Sequence, residues 1–356
     1  LEELVRISTG PGGRADYVQG GGGNTSCKLD GRLMAVKASG FRLGQITVRE
    51  AYSVLDYASL RSFFQAGTGE DTPEIEQAGG NAVREAGVPI DGMTPLRPSV
   101  EAGFHALLGR CVLHTHSVYA NTVCCSGDPE RLAEEAMKTL DVPWGMVPYI
   151  DPGTRLTFAV ASECERVRKR TGSDPSVLFL RNHGLIVTNG DAAGCMDLHD
   201  AVNRRLAAVA GTGFDEWPSI AVRPDGSGGY RSPTPWLRHR LAGMADPVGR
   251  FTADPLYPDQ MVYLAGKIGR AEDRAAGLVC RIDTLNGEVS YTCGENEALT
   301  IEETLCAVLF ILESQERNRW ATCAMNASAR MFIAGWESEA YRRSVSAGGG
   351  GTEAVR

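Results

Sequence analysis

The sequence predicts an α/β protein. Three observations carry this. Apolar runs of strand length recur at 33–38, 111–113 and 177–187. Longer stretches with helix-start signals lie between and after them, as at 154–170 and 191–210. Glycine-bearing turn pairs, Asp30-Gly31 and Asn286-Gly287, mark hairpins. Strand-length runs alternating with helical stretches are the pattern of mixed α/β chains.

The chain is organised around Cys111-Val112-Leu113-His114-Thr115-His116-Ser117. In a β-strand successive side chains point to opposite faces, so His114 and His116 share one. Two imidazoles on one face can grip a metal ion, and a catalytic zinc takes three protein ligands and keeps one open position. A third ligand is therefore expected elsewhere in the chain.

In order, residues 1–9 are expected to be helical and to end at Gly10-Pro11-Gly12-Gly13. The loop Gly20-Gly21-Gly22-Gly23-Asn24-Thr25-Ser26 either presents backbone N–H groups to an anion or is a flexible hairpin turn. Strands are expected at 26–30 and 33–38, ending in the small turn Ser39-Gly40, with Lys37 adding positive charge nearby. Thr47 as N-cap with Glu50 three residues later predicts a helix from Ile46 to about Asp56. Residues 66–98 are rich in Gly, Pro and acidic residues, with a short helix around 74–86. Ser99 then opens a helix that sets Glu101 and His105 one turn apart. Glu101 either complements the helix dipole or points toward the two histidines.

Helices at 117–125 and 128–139, a strand at 147–150 and a helix from Thr154 to about Arg170 follow. Residues 177–187 read as two strands with Asn182-His183-Gly184 between them. His183 is there either a turn residue or the third ligand. After helix 191–210 comes a Gly/Pro/Ser-rich stretch to 235. Beyond it strands are expected at 259–268, 277–283 and 287–291, a helix at 300–313 capped by Thr300, and a last helix at 334–343. The division this suggests is a catalytic domain at 1–210, a linker at 211–245, a small α+β domain at 246–345 and a disordered tail at 346–356. The C-terminal part offers no catalytic constellation; its only histidine is His239.

With 43% hydrophobic and 22% charged residues the composition is globular. A net charge of −8 argues against nucleic acid as a partner, which needs basic patches. No run of about eighteen apolar residues suggests a membrane span. No signal peptide is visible, and the ten scattered cysteines fit reduced thiols, so a cytoplasmic location is expected.

Several separated motifs, in order, resemble the class II aldolase/adducin family. Gly22-Gly23-Asn24-Thr25-Ser26 resembles its phosphate loop, and Lys37-Ala38-Ser39-Gly40 its second phosphate turn. Pro98-Ser99-Val100-Glu101 with His105 resembles the segment of the catalytic glutamate, and His114-Thr115-His116 the metal pair. Asp151-Pro152-Gly153-Thr154 and Asn182-His183-Gly184 complete the series. Tyr257-Pro258-Asp259-Gln260 and the ending around Trp336–Arg343 resemble the family's longer branch, which includes the aldolase half of rhamnulose-phosphate aldolase/dehydrogenases.

The resemblance implies a three-layer α/β/α fold around a mainly antiparallel sheet, and a cyclic homotetramer. It implies a divalent metal, usually zinc, with manganese or cobalt as substitutes, on His114, His116 and His183. Glu101 would be the acid/base of an aldolase that makes or breaks a C–C bond in a sugar or sugar phosphate through a metal-stabilised enediolate. Gly23, Asn24, Thr25, Ser39, Gly40 and Ser99 would hold the anionic end, with His105 and Lys37 in support. Epimerase, decarboxylase or dehydratase cousins and a non-catalytic adducin-like scaffold are the alternatives. Val100 departs from the paired serines usual in the shorter sugar-phosphate aldolases, which removes one phosphate donor.

Overall fold

A computed structural model describes residues 1–67 and 72–335. An eight-stranded sheet forms its centre: β1 (Asn24–Lys28), β2 (Leu33–Lys37), β3 (Tyr52–Asp56), β4 (Gly87–Val88), β5 (Cys111–Thr115), β6 (Trp144–Val147), β7 (Val177–Leu180) and β8 (Gly184–Asn189). The order is β4-β3-β2-β1-β5-β8-β7-β6, and every pair but the parallel β6–β7 is antiparallel.

Strand alternation separates the core into two sides. Cys27, Ala35, Leu113, Phe179, Leu185 and Val187 pack with helices Glu2–Gly12, Val118–Cys124, Pro129–Met137 and Ala192–Val209. Their strand neighbours Met34, Val36, Val112, Leu178, Leu180 and Ile186 pack with helices Tyr57–Ala66, Ala102–Leu107 and Thr154–Thr171. Helices cover both faces, so the three-layer α/β/α arrangement expected from the resemblance is present. It also explains why the central strands are apolar on both sides rather than alternating.

The capping-box reading of 46–56 is wrong. Thr47 and Glu50 close a turn instead: the Thr47 N–H donates to the Glu50 carbonyl at 3.2 Å. Ala51, at φ 68°, redirects the chain into β3. Its five residues pair with β2 from Leu33↔Asp56 to Lys37↔Tyr52, and that ladder outweighs a local cap signal. Asp56 then caps the next helix, accepting from the Ser59 N–H at 3.0 Å. The strand expected at 147–150 lies at 144–147, because Pro148 cannot donate to a ladder.

Beyond residue 210 the differences are larger. Residues 211–245, expected as a linker, contribute β9 (Arg223–Pro224), β10 (Tyr230–Arg231) and helix Pro235–Leu241. With β11 (Ile268–Arg270), β12 (Cys280–Asp283) and β13 (Glu288–Tyr291) they form a second sheet, ordered β11-β12-β13-β10-β9. The segment read as a strand at 259–268 begins with helix Pro258–Leu264. Short fully apolar runs do not tell strand from helix, and the proline at the first helical position decided it. The helix expected at 300–313 runs from Glu295 to Arg317, so Thr300 is interior and its hydroxyl donates to the Asn296 carbonyl. A helix covers Ala327–Gly335; the rest of the helix expected at 334–343, and the tail at 346–356, lie outside the described residues. Among the described residues no helix is long and apolar enough to cross a membrane. All ten cysteines are free thiols.

His199, on helix Ala192–Val209, is buried behind β5 and bonds the Thr115 hydroxyl through Nε2 at 2.7 Å. Burial holds its pKa down to about 3. The unfolded chain therefore takes up this proton first, near pH 6.5, and stability falls as pH drops from there toward 3. Between pH 7 and pH 5 the loss from this one residue is about 2 kcal/mol. Urea melts of the wild-type chain and His199→Gln at both pH values should show the variant with the shallower loss; equal losses would contradict this assignment.

Candidate metal centre and cleft

β5 lies between β1 and β8, with His114 opposite Asn24 on one side and Ile186 on the other. The strand ends at Thr115, and His116 follows on the face of His114. His183 arrives from the turn between β7 and β8. Asn182 there takes φ 51°, a left-handed conformation that asparagine tolerates. Gly184 has no room for a side chain: a Cβ would stand 2.2 Å from the Thr115 carbonyl oxygen. The three rings form a nearly equilateral set, with centroids 4.9, 5.0 and 5.0 Å apart. All three are buried, and one ligand nitrogen from each lies within 4.8 Å of the others.

The hydrogen bonds behind the rings assign their tautomers. His114 donates from Nδ1 to the Leu185 carbonyl at 3.0 Å. His116 donates from Nδ1 to Asp259 Oδ2 at 2.5 Å. Both Nε2 lone pairs then face the centre, 3.2 Å apart. Two metal–nitrogen bonds of about 2.0–2.1 Å at a tetrahedral angle separate their nitrogens by about 3.3 Å. Burial, followed by His116 and His183, holds the His114 pKa well below the ordinary histidine value. A neutral imidazole is the form that ligates. The donor set therefore fits a divalent cation.

Glu101 stands against this trio. The helix begins at Ala102, two residues later than the sequence suggests, and Glu101 occupies its N-cap position. The Ser99 hydroxyl accepts instead from the Glu101 N–H at 3.3 Å. Glu101 Oε1 is 3.4 Å from His183 Nε2, and Oε2 is 3.6 Å from His114 Nε2. Asn24 Nδ2 donates to Oε2 at 2.6 Å. Behind Asn24 its Oδ1 accepts from His105 Nε2 at 2.5 Å, and His105 Nδ1 accepts from the Ser26 hydroxyl at 2.8 Å. Burial, then Lys28, lowers the His105 pKa to about 3, which keeps the ring neutral and this one-way chain of donors intact. His105 thus orients Asn24, which orients Glu101; it does not face the trio.

A narrow cleft opens beside Glu101, His116 and His183. Gly23, Asn24, Lys37, Ser39, Gly40, Ser99 and Val100 line it. An antiparallel bridge between Ala38 and Pro98 sets the two serine-bearing turns side by side, and the Ser39 N–H donates to the Arg97 carbonyl at 2.8 Å. Lys37 Nζ donates to the Gly21 carbonyl at 3.0 Å, tying it to the glycine loop. Gly23 takes φ 64°, and a Cβ there would lie 2.6 Å from the His114 carbonyl oxygen. Thr25 is the exception among the expected anion contacts. It is buried, and its hydroxyl lies 2.6 Å from that of Ser8. The cause is that β1 already begins at Asn24, so Thr25 points to the face opposite Asn24 and Ser26.

Sequence reasoning missed Asp259 and the brace on the glycine loop. Glu303 accepts from the Gly20 N–H at 2.8 Å and from Arg42 at 2.9 Å. The motif Tyr257-Pro258-Asp259-Gln260 was visible, but a strand reading hid its role; proline as a helix-start signal would have corrected the element.

Residues 3–209 match the sequence profile of the Class II Aldolase and Adducin N-terminal domain. The chain belongs to that family. The 3-oxo-tetronate 4-phosphate decarboxylase of Haemophilus influenzae is 28% identical to it over 192 residues, spanning 51% of this chain and 73% of that protein. Among solved structures, the N-terminal class II aldolase domain of a conserved protein from Thermoplasma acidophilum is 24% identical, with a TM-score of 0.48 over 58% of this chain and 91% of that one. A sugar-phosphate aldolase from Thermotoga maritima is 14% identical, with a TM-score of 0.41 over 58% and 94%. The class II aldolase superfamily is enzymatic and its fold typically uses a divalent metal, which the buried His114, His116 and His183 could hold.

Proposed function

We propose that this class II aldolase family member is a metal-dependent aldolase acting on a sugar or sugar phosphate. The observation that carries the reading is the convergence of the His114 and His116 Nε2 atoms and the His183 ring on one point beside the Glu101 carboxylate. A divalent ion held there, zinc by preference, would supply Lewis acidity toward a bound ketose. Glu101 moves the proton at the carbon that gains or loses the C–C bond. Asn24 holds that carboxylate in place, and His105 fixes the Asn24 amide. Gly23, Ser39, Gly40 and Ser99 bind the anionic or hydroxylated end, with the Lys37 charge nearby. Residues 1–210 are the catalytic domain in this reading. We extend the proposal to a homotetramer in the cytoplasm, on family membership.

Decarboxylation is the second reading, favoured by the similarity to the Haemophilus influenzae decarboxylase. It needs the same trio and differs in the bond that breaks. A panel of ketose 1-phosphates, free ketoses and 3-oxo-sugar-acid phosphates, assayed with added zinc, manganese or cobalt, separates the two. Aldehyde release from a ketose supports the aldolase; carbon dioxide release from an oxo acid without aldehyde replaces it with the decarboxylase. Neither product from any member would overturn both.

A further inference from the structure

We propose that Asp259 is a positioning residue of the metal centre, so that the segment beyond the family's shared domain completes the site. The inference rests on the reading that the three histidines hold an ion. The family match ends at residue 209, so nothing in the shared domain supplies this carboxylate. Asp259 is fully buried, and its Oδ2 meets His116 Nδ1 at 2.5 Å. A buried carboxylate is costly unless it is paired, and a histidine N–H whose other nitrogen ligates a cation is a fitting partner. The carboxylate fixes the His116 ring and tautomer and strengthens Nε2 as a donor.

Two further observations tie the segment to the centre. A Cβ on Gly22 would stand 2.3 Å from Asp259 Oδ2 and 2.9 Å from His116 Nδ1, so the glycine loop leaves room for this pair. Asn182, next to His183, donates through Nδ2 to the Leu256 carbonyl at 2.9 Å. The stretch 256–259 therefore grips the segments of two of the three histidines. Leu256 and Gln260 lock that stretch, the Leu256 N–H donating to Gln260 Oε1 at 2.7 Å.

The test uses the full chain and its Asp259→Ala, Asp259→Asn and Met261→Ala variants, with cobalt(II) as the probe. Affinity is read by competition with a chelator, and the geometry of the site by the visible absorption of bound cobalt. Asp259→Ala should bind cobalt about 10- to 100-fold more weakly, with a shifted band. Asp259→Asn, isosteric and still able to accept from Nδ1, should fold as wild type and lose less. Met261→Ala, on the same helix, packs with Val262 and Tyr263 and should lower stability but leave affinity and spectrum unchanged. Wild-type affinity and spectrum in both Asp259 variants would overturn the proposal, as would equal losses in Asp259→Ala and Met261→Ala. A wild-type chain that takes up no cobalt would overturn this proposal together with the metal reading beneath it.

Discussion

Glu101→Gln should lower kcat by about 10²- to 10⁴-fold while leaving the metal content unchanged. Both carboxylate oxygens lie 3.4–3.6 Å from ligand nitrogens, beside the point on which those nitrogens converge. Asn24 supplies a hydrogen bond that an amide oxygen can still accept. Glutamine therefore keeps the shape and the Asn24 contact but cannot exchange a proton at working pH. Steady-state kinetics on the active substrate, with elemental analysis of the same preparation, makes the check. A variant that keeps its metal and its full kcat would remove Glu101 from the acid/base role.

His116→Ala carries the second large effect: loss of stoichiometric metal, and with it activity. A three-ligand site that loses one ligand keeps only two protein bonds to the ion. The metal-dependent part of stability should vanish as well. An ion that binds only the folded chain stabilises it by RT ln(1 + [ion]/Kd), about 4 kcal/mol at a thousand-fold excess over Kd. Added zinc should therefore raise the melting temperature of the wild-type chain and leave that of His116→Ala where it was. Without zinc the variant should melt below the wild-type chain, because it takes from the buried Asp259 carboxylate its His116 partner. An equal zinc-induced rise in both would contradict the ligand assignment.

The parts of this site that were legible in the sequence are those set by local rules. His114 and His116 share a face because strands alternate, and that needs only two-residue spacing. His183 was readable as a candidate because Asn-His-Gly between two apolar runs is a turn that raises a side chain at a strand end. Glu101 was readable beside His105 because the segment is short and leads straight into β5. Thr25 failed for the same local reason that His114 succeeded. The strand begins two residues before the sequence suggests, and alternation turns Thr25 away.

What could not be read depends on partners far along the chain. Asp259 reaches His116 across 143 residues. No period or spacing links them, although the motif around Asp259 stands out in the sequence. The Thr47–Glu50 capping pattern is sound chemistry, yet the β2–β3 ladder decides the segment. The helix at 295–317 hides its start because Glu295 and Glu297 carry the first turn while Gly294 offers no side-chain cap. Its Thr300 and Glu303, which look like a cap, instead anchor Arg42 and the glycine loop. In each case a long-range contact uses residues whose local pattern suggests something else.

In the proposed mechanism this chain works through an ion held by His114, His116 and His183. Elemental analysis of the purified wild-type protein, before and after chelation and with activity measured alongside, tests it most directly. The expected result is one divalent ion per chain, activity lost as the ion is removed, and activity restored when zinc, manganese or cobalt is returned. A chain that is free of metal and fully active would contradict it.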